Sequence, residues 1–141
     1  MPTNTRKVDA YLVDLRERGA VRQAQRLGKL LDLCAPLPEV TVALWGDHLM
    51  VQVRKKTFAY YLNNHHGDGK VALCAKSMLP RQRELIAEDP DRYYSPAYLG
   101  VSGWVGARLD LPRVDWPAIN DLVQGAWLLQ APRKLAEQFD G

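Results

Sequence analysis

Residues 39–76 read EVTVALWGDHLMVQVRKKTFAYYLNNHHGDGKVALCAK, and their period decides the fold. Val40, Val42 and Leu44 alternate with Thr41, Ala43 and Trp45. Leu49, Val51 and Val53 alternate with Met50, Gln52 and Arg54. A period of two places one apolar face on each strand. Gly46-Asp47 punctuates the first pair, and Arg54-Lys55-Lys56-Thr57 forms the next turn or hairpin tip. An aromatic third strand, Phe58 to Leu62, runs into the turn cluster Asn63-Asn64-His65-His66-Gly67-Asp68-Gly69, and Val71, Leu73 and Ala75 start a fourth strand. Connections this short join strands only in antiparallel fashion, so the stretch predicts a meander.

Helical periodicity flanks the meander. Upstream, Val8, Tyr11, Leu12 and Leu15 fall on one face of a helix that Asn4 or Thr5 would cap, and Gly19 breaks it. Ala20, Ala24, Leu27, Leu31 and Cys34 line a second helix, opposite Arg22, Arg26 and Lys29. Pro36 and Pro38 end it. Downstream, a helix runs from about Pro80 to Glu88. Tyr93 to Tyr98 is extended and aromatic, and Gly103 to Asp110 is another strand. Asp115 caps a helix carrying Ile119, Leu122, Val123 and Ala126. Ala131-Pro132 separates that helix from a short last one with Leu135 and Phe139. The expected architecture is α+β: an antiparallel sheet of about five or six strands, covered by N- and C-terminal helices. The 141 residues fit one domain, 1–141, with a core at about 20–136 and an N-terminal helical extension at about 5–18 that Gly19 would uncouple.

Composition narrows the function. Hydrophobic residues make up 47% and charged residues 25%, as in a globular protein rather than a disordered one. No apolar run approaches a membrane span, and the Met1-to-Lys7 start lacks a secretory pattern, so the cytoplasm is the expected compartment. Cys34 and Cys74 belong to no Cys-x-x-Cys pair and read as buried, reduced thiols. The net charge of +3 is unevenly spread. Residues 1–70 carry 11 Lys/Arg against 7 Asp/Glu (11 − 7 = +4), and residues 71–141 carry 8 against 9 (8 − 9 = −1).

The sharpest candidate is the tip Arg54-Lys55-Lys56, where three adjacent cations can each reach a phosphate. A solvated turn is the plainer alternative. Lys76 and Arg81 lie about the start of a helix, where backbone N–H groups also favour anions. Arg108, Arg133 and Lys134 would extend the patch, and Tyr98 and Trp104 are candidates for a base-stacking platform. His65, His66 and Asp68 are candidate metal ligands, but adjacent histidines diverge on an extended chain and no fourth ligand is apparent, so a surface turn is the expected reading. No nucleophile–base pair, P-loop or dinucleotide fingerprint occurs, so neither an enzyme nor a cofactor is expected.

A chain of motifs spanning about residues 20–136 resembles the MmcQ/YjbR-like family: Leu37-Pro38-Glu39-Val40 to Trp45-Gly46, Lys56-Thr57-Phe58-Ala59, Val71 to Lys76, and Asp89-Pro90. Tyr93-Tyr94-Ser95-Pro96-Ala97-Tyr98, Gly100, Ser102-Gly103-Trp104-Val105, Arg108-Leu109-Asp110, Asp115-Trp116 and Ala131 to Leu135 complete it. One departure stands out, Lys55 where the family usually has glycine. The resemblance implies a CyaY-like α+β fold and a DNA-binding, non-enzymatic role. DNA is therefore the expected partner of a monomer or homodimer without a membrane role. The alternative is a protein-interaction or small-ligand domain using a sheet face with Trp45, Met50, Tyr60 or Trp104.

Overall fold

The computed structural model describes residues 5–139, so the proposed cap at Asn4 lies outside the described residues. Helices α1 (Thr5–Glu17) and α2 (Val21–Cys34) precede strands β1 (Val40–Trp45), β2 (His48–Val53), β3 (Lys56–Asn63) and β4 (Val71–Ala75). Helix α3 (Leu79–Glu88), strands β5 (Tyr93–Tyr94) and β6 (Val105–Arg108), and helices α4 (Trp116–Gln130) and α5 (Arg133–Glu137) follow. All pairings are antiparallel, in the order β1-β2-β3-β4-β6-β5. The α+β sheet of six strands is the architecture expected.

Helices α1, α2 and α4 cover one face of the sheet. Val40, Val42, Leu49, Val51, Val53, Phe58, Tyr61, Leu73, Val105 and Ala107 meet Leu15, Leu27, Leu30, Val123 and Trp127 there in one core. The β2–β3 pairing slips between Val51 and Gln52, so that Phe58 is the extra residue of a bulge and Phe58 and Ala59 are both buried. Asp115 caps α4 through Oδ1, which accepts the Ala118 N–H at 3.1 Å. Cys34 and Cys74 are free and buried, and burial pushes both thiols up to about 12, away from reactivity at neutral pH.

Three expectations are corrected. Residues 5–17 are not an uncoupled arm: Val8, Tyr11 and Leu15 are buried in the main core, and the Tyr11 hydroxyl donates to Asp47 O. Their apolar stripe has nowhere else to hide from water. On α2, Leu30 is fully buried whereas Leu31 is only partly so, so the buried face is centred one residue away from the expected stripe. The stretches 93–98 and 103–110 form only short strands, Tyr93–Tyr94 and Val105–Arg108. Between them the chain folds back over the sheet, held by buried Gln82, whose Nε2 donates to Gly100 O and Trp104 O at 2.8 and 2.6 Å.

The β2–β3 hairpin closes with two residues, Arg54 and Lys55, at φ 47° and 68°. This double left-handed turn matches strand twist and favours glycine at its second position. Lysine at residue 55 therefore carries backbone strain. Lys55→Gly should stabilise the fold by about 0.5–1 kcal/mol, after allowing for glycine's greater unfolded-state entropy. An unchanged urea midpoint in that variant would show the turn to be relaxed.

Candidate functional site

Two places gather side chains with chemistry, and they lie toward opposite ends of the sheet. The first surrounds the β2–β3 hairpin tip. Gln130, the last residue of α4, donates through Nε2 to Thr57 O at 2.9 Å and accepts from Lys76 Nζ at 2.7 Å. The Lys76 N–H also donates to Phe58 O at 2.9 Å. This junction brings the tip, the end of β4 and the α4–α5 corner together, so Lys55, Lys56, Lys76, Arg133 and Lys134 share one end of the sheet. Arg81 joins them through a cavity of about 290 Å³ that it lines with Lys76, Met78, Leu122 and Leu129 beside the N-terminus of α3.

These cations are not equally available. Arg54 makes a two-pronged ion pair with Glu39, both contacts 2.8 Å, and holds that carboxyl below its ordinary range. Arg133 pairs with Glu137 at 3.2 Å across one exposed helical turn, a weak contact. Among the described residues, Lys55, Lys56, Lys76, Arg81 and Lys134 form no ion pair. Lys76 is held by a neutral amide, which orients its charge without cancelling it.

Arg108 does not join this group. It pairs in register with Ala72, at the other end of β4, and both its Nε and Nη2 donate to the Asp110 carboxylate at 3.0 Å. The basic stripe on α2 is also engaged. Arg22 donates to Asp110 O, and Arg26 donates to the carbonyls of Leu109, Leu111 and Pro112. Both guanidinium groups tie down the loop after β6. Lys29 lies over the Trp116 ring, 5.1 Å from its centroid.

The second place is the sheet face away from α1, α2 and α4. Ala43, Met50, Tyr60, Cys74, Gly106 and Tyr94 form a row across all six strands. Trp104 is not the open platform expected from the sequence. It is only 8% exposed and packs with Leu62 and Cys74 as the 96–104 segment covers that part of the face. Tyr94 lies over Gly106, where any Cβ would stand 2.4 Å from the ring. Tyr98, by contrast, is 79% exposed. Rings continue from Trp104 through Tyr60, Trp45, His48, His65 and His66 to Tyr98, with successive centroids 3.9–6.0 Å apart.

All three histidines of the chain thus converge: His48, which the sequence places only in possible reach of Cys74 or Asp47, meets His65 instead. Among the described residues, no three His, Cys, Asp or Glu side chains are placed to hold a metal ion together. His48 Nδ1 accepts the Asn63 N–H at 3.1 Å, which ties the start of β2 to the end of β3. Burial lowers the pKa of His48 and His65, and neighbouring His66 lowers both further, against the opposing pull of Asp68 and, for His48, Asp47. A lowered folded-state pKa means that the unfolded chain takes up protons first. Stability is therefore intact above the unfolded value of about 6.5 and falls as pH drops from there through the folded values. Urea midpoints should decline between about pH 7 and pH 5, and less so in His48→Gln, whose amide oxygen can still accept from Asn63. A flat profile would disprove the coupling.

The fold and the two sites define a small α+β protein built on one antiparallel sheet with helices over one face. The YjbR family model matches residues 35–129, and the chain belongs to the YjbR family. A crystal structure of Deinococcus radiodurans protein DR2400, with a DUF419 domain, is similar in fold. Its TM-score is 0.57 at 23% identity, over 70% of this chain and 72% of that one. No curated protein matches the chain. Among the described residues, no helix is long and apolar enough to cross a membrane.

Proposed function

We propose that this YjbR-family chain is a non-enzymatic DNA-binding protein that holds phosphate at the hairpin end of its sheet. The supporting observation is that Gln130 ties Lys76 to the hairpin tip that carries Lys55 and Lys56, with Arg81 sharing a cavity with Lys76 and Lys134 on the helix that follows, and that among the described residues none of these cations is in an ion pair. Phosphate contacts by such groups release counterions, so they yield affinity without sequence preference. The strained Lys55 backbone fits this reading, since the turn keeps a cation where glycine would be more stable.

The test is fluorescence anisotropy of labelled duplex with purified protein, at about 50 and about 200 mM salt. Four phosphate contacts would weaken binding roughly 150-fold across that interval, from a slope of about −0.9 per contact. Absence of binding at the lower salt would remove the proposal.

A further inference from the structure

The ring-lined cavity on the open face is separate from the basic end and from the DNA reading. Its volume is about 350 Å³, at the small end of ligand pockets. Trp45, Tyr60, His65, His66, Tyr98 and Leu99 are among its walls, and no charged side chain lines it. We propose that this cavity binds a methylated ammonium group through cation–π contact with Trp45, Tyr60 and Tyr98.

Three observations carry this choice of ligand. Wall geometry comes first. Trp45 meets Tyr60 at 52° and His65 at 55°, and His66 meets Tyr98 at 63°. Rings at such angles make a box, which suits a rounded cation; a flat base would need a parallel slot. Charge comes second. The charged side chain acting on His65 in the cavity wall is Asp68 from the loop after β3, and Asp47 from the β1–β2 turn acts with it on neighbouring His48, outside the wall. Burial favours the neutral form of His65, so the nearby carboxylate makes the local field favour a cation over phosphate.

Backbone strain comes third. Tyr98 and His66, whose rings meet edge to face with centroids 5.4 Å apart, both have positive φ, at 66° and 55°. Tyr98 gains little from packing, being 79% exposed. A bulky side chain held in the left-handed region and in water costs stability in the free protein, a pattern that belongs to functional sites. The cavity also predicts competition with protons. Protons taken up at acid pH by His65 in the wall and by neighbouring His48, both held below the ordinary imidazole range by burial, would oppose a bound cation, with Asp47 and Asp68 the acids left to offset them.

The group could arrive on a free molecule such as choline or on a methylated lysine side chain, and one experiment separates these sources. The full chain is titrated with choline, its neutral isostere 3,3-dimethylbutan-1-ol, a trimethyl-lysine peptide and the same peptide unmodified. Indole N–H signals are followed by NMR. Saturable shifts of the Trp45 signal with choline, the trimethylated peptide or both support the proposal and name the source. The neutral isostere should bind at least about tenfold more weakly. Trp45→Ala, read on other signals, should lose about tenfold in affinity. Tyr98→Asn should do the same while matching or exceeding the wild-type melting temperature, because asparagine suits the left-handed backbone. Equal binding of the neutral isostere, unchanged affinity in both variants, or no saturation by either ligand below about 100 mM would overturn the proposal.

Discussion

The Lys55→Glu/Lys56→Glu double variant should lose duplex DNA binding at about 200 mM salt while remaining folded. Both side chains are exposed at the hairpin tip and, among the described residues, form no ion pair, so the change removes two phosphate contacts and creates two repulsions. The magnitude of the salt slope should fall by about 2, one unit for each lost contact. Arg108→Gln is the control away from the tip. That guanidinium sits at the opposite end of β4 and is held by Asp110, so its removal should leave affinity and slope unchanged. A double variant that binds like the wild type would remove the tip from the interface. Equal losses in both variants would mean that general charge, not the converged end, attracts DNA. Lys55→Gly adds an independent reading: it should bind more weakly while unfolding at higher urea, which separates the cost of the turn from its use.

Trp127→Ala should have the largest effect on stability, about 3–5 kcal/mol, and should act on the basic end as well. Trp127 is fully buried where α4 meets the sheet, donates from Nε1 to Pro38 O at 3.1 Å and packs against Phe139 at 5.0 Å. Truncation would leave a large void and an unsatisfied Pro38 carbonyl. For a domain with typical stability of about 5–15 kcal/mol, that loss is severe. Gln130 lies one helical turn further along α4, so loosening the helix also loosens the junction that orients Lys76. Gln130→Ala isolates the second effect. It should leave the core intact and weaken DNA binding by a few-fold, through disorder of Lys76. A Trp127→Ala loss below about 1 kcal/mol in denaturant titration would show that α4 is not anchored by this ring.

Residues 39–76 show what local sequence can settle. Alternation at Val40, Val42, Leu49, Val51 and Val53 marked the buried face correctly, because side chains on a strand alternate whatever the strand packs against. Capping by Asp115 and the breaks at Gly19 and Ala131-Pro132 were legible for the same reason, since caps and breakers act within a turn or two of the chain. The bulge that buries both Phe58 and Ala59 was not legible, since register depends on the partner strand.

The functional groups divide along the same line. Sequence by itself determined the sheet class, the element order, the basic hairpin tip and the two thiols' burial, all consequences of local period and composition. Tertiary structure alone decided which cations are available. Glu39 captures Arg54, Asp110 captures Arg108, and the carbonyls of residues 109–112 capture Arg22 and Arg26 across more than eighty residues. It also decided that Trp104 is buried, that His48 meets His65, and that Trp45, Tyr60 and His65 line one cavity. Those meetings follow from strand order and from the 96–104 segment folding over the sheet. Both arise from contacts distant in sequence, which residue type and spacing do not encode locally.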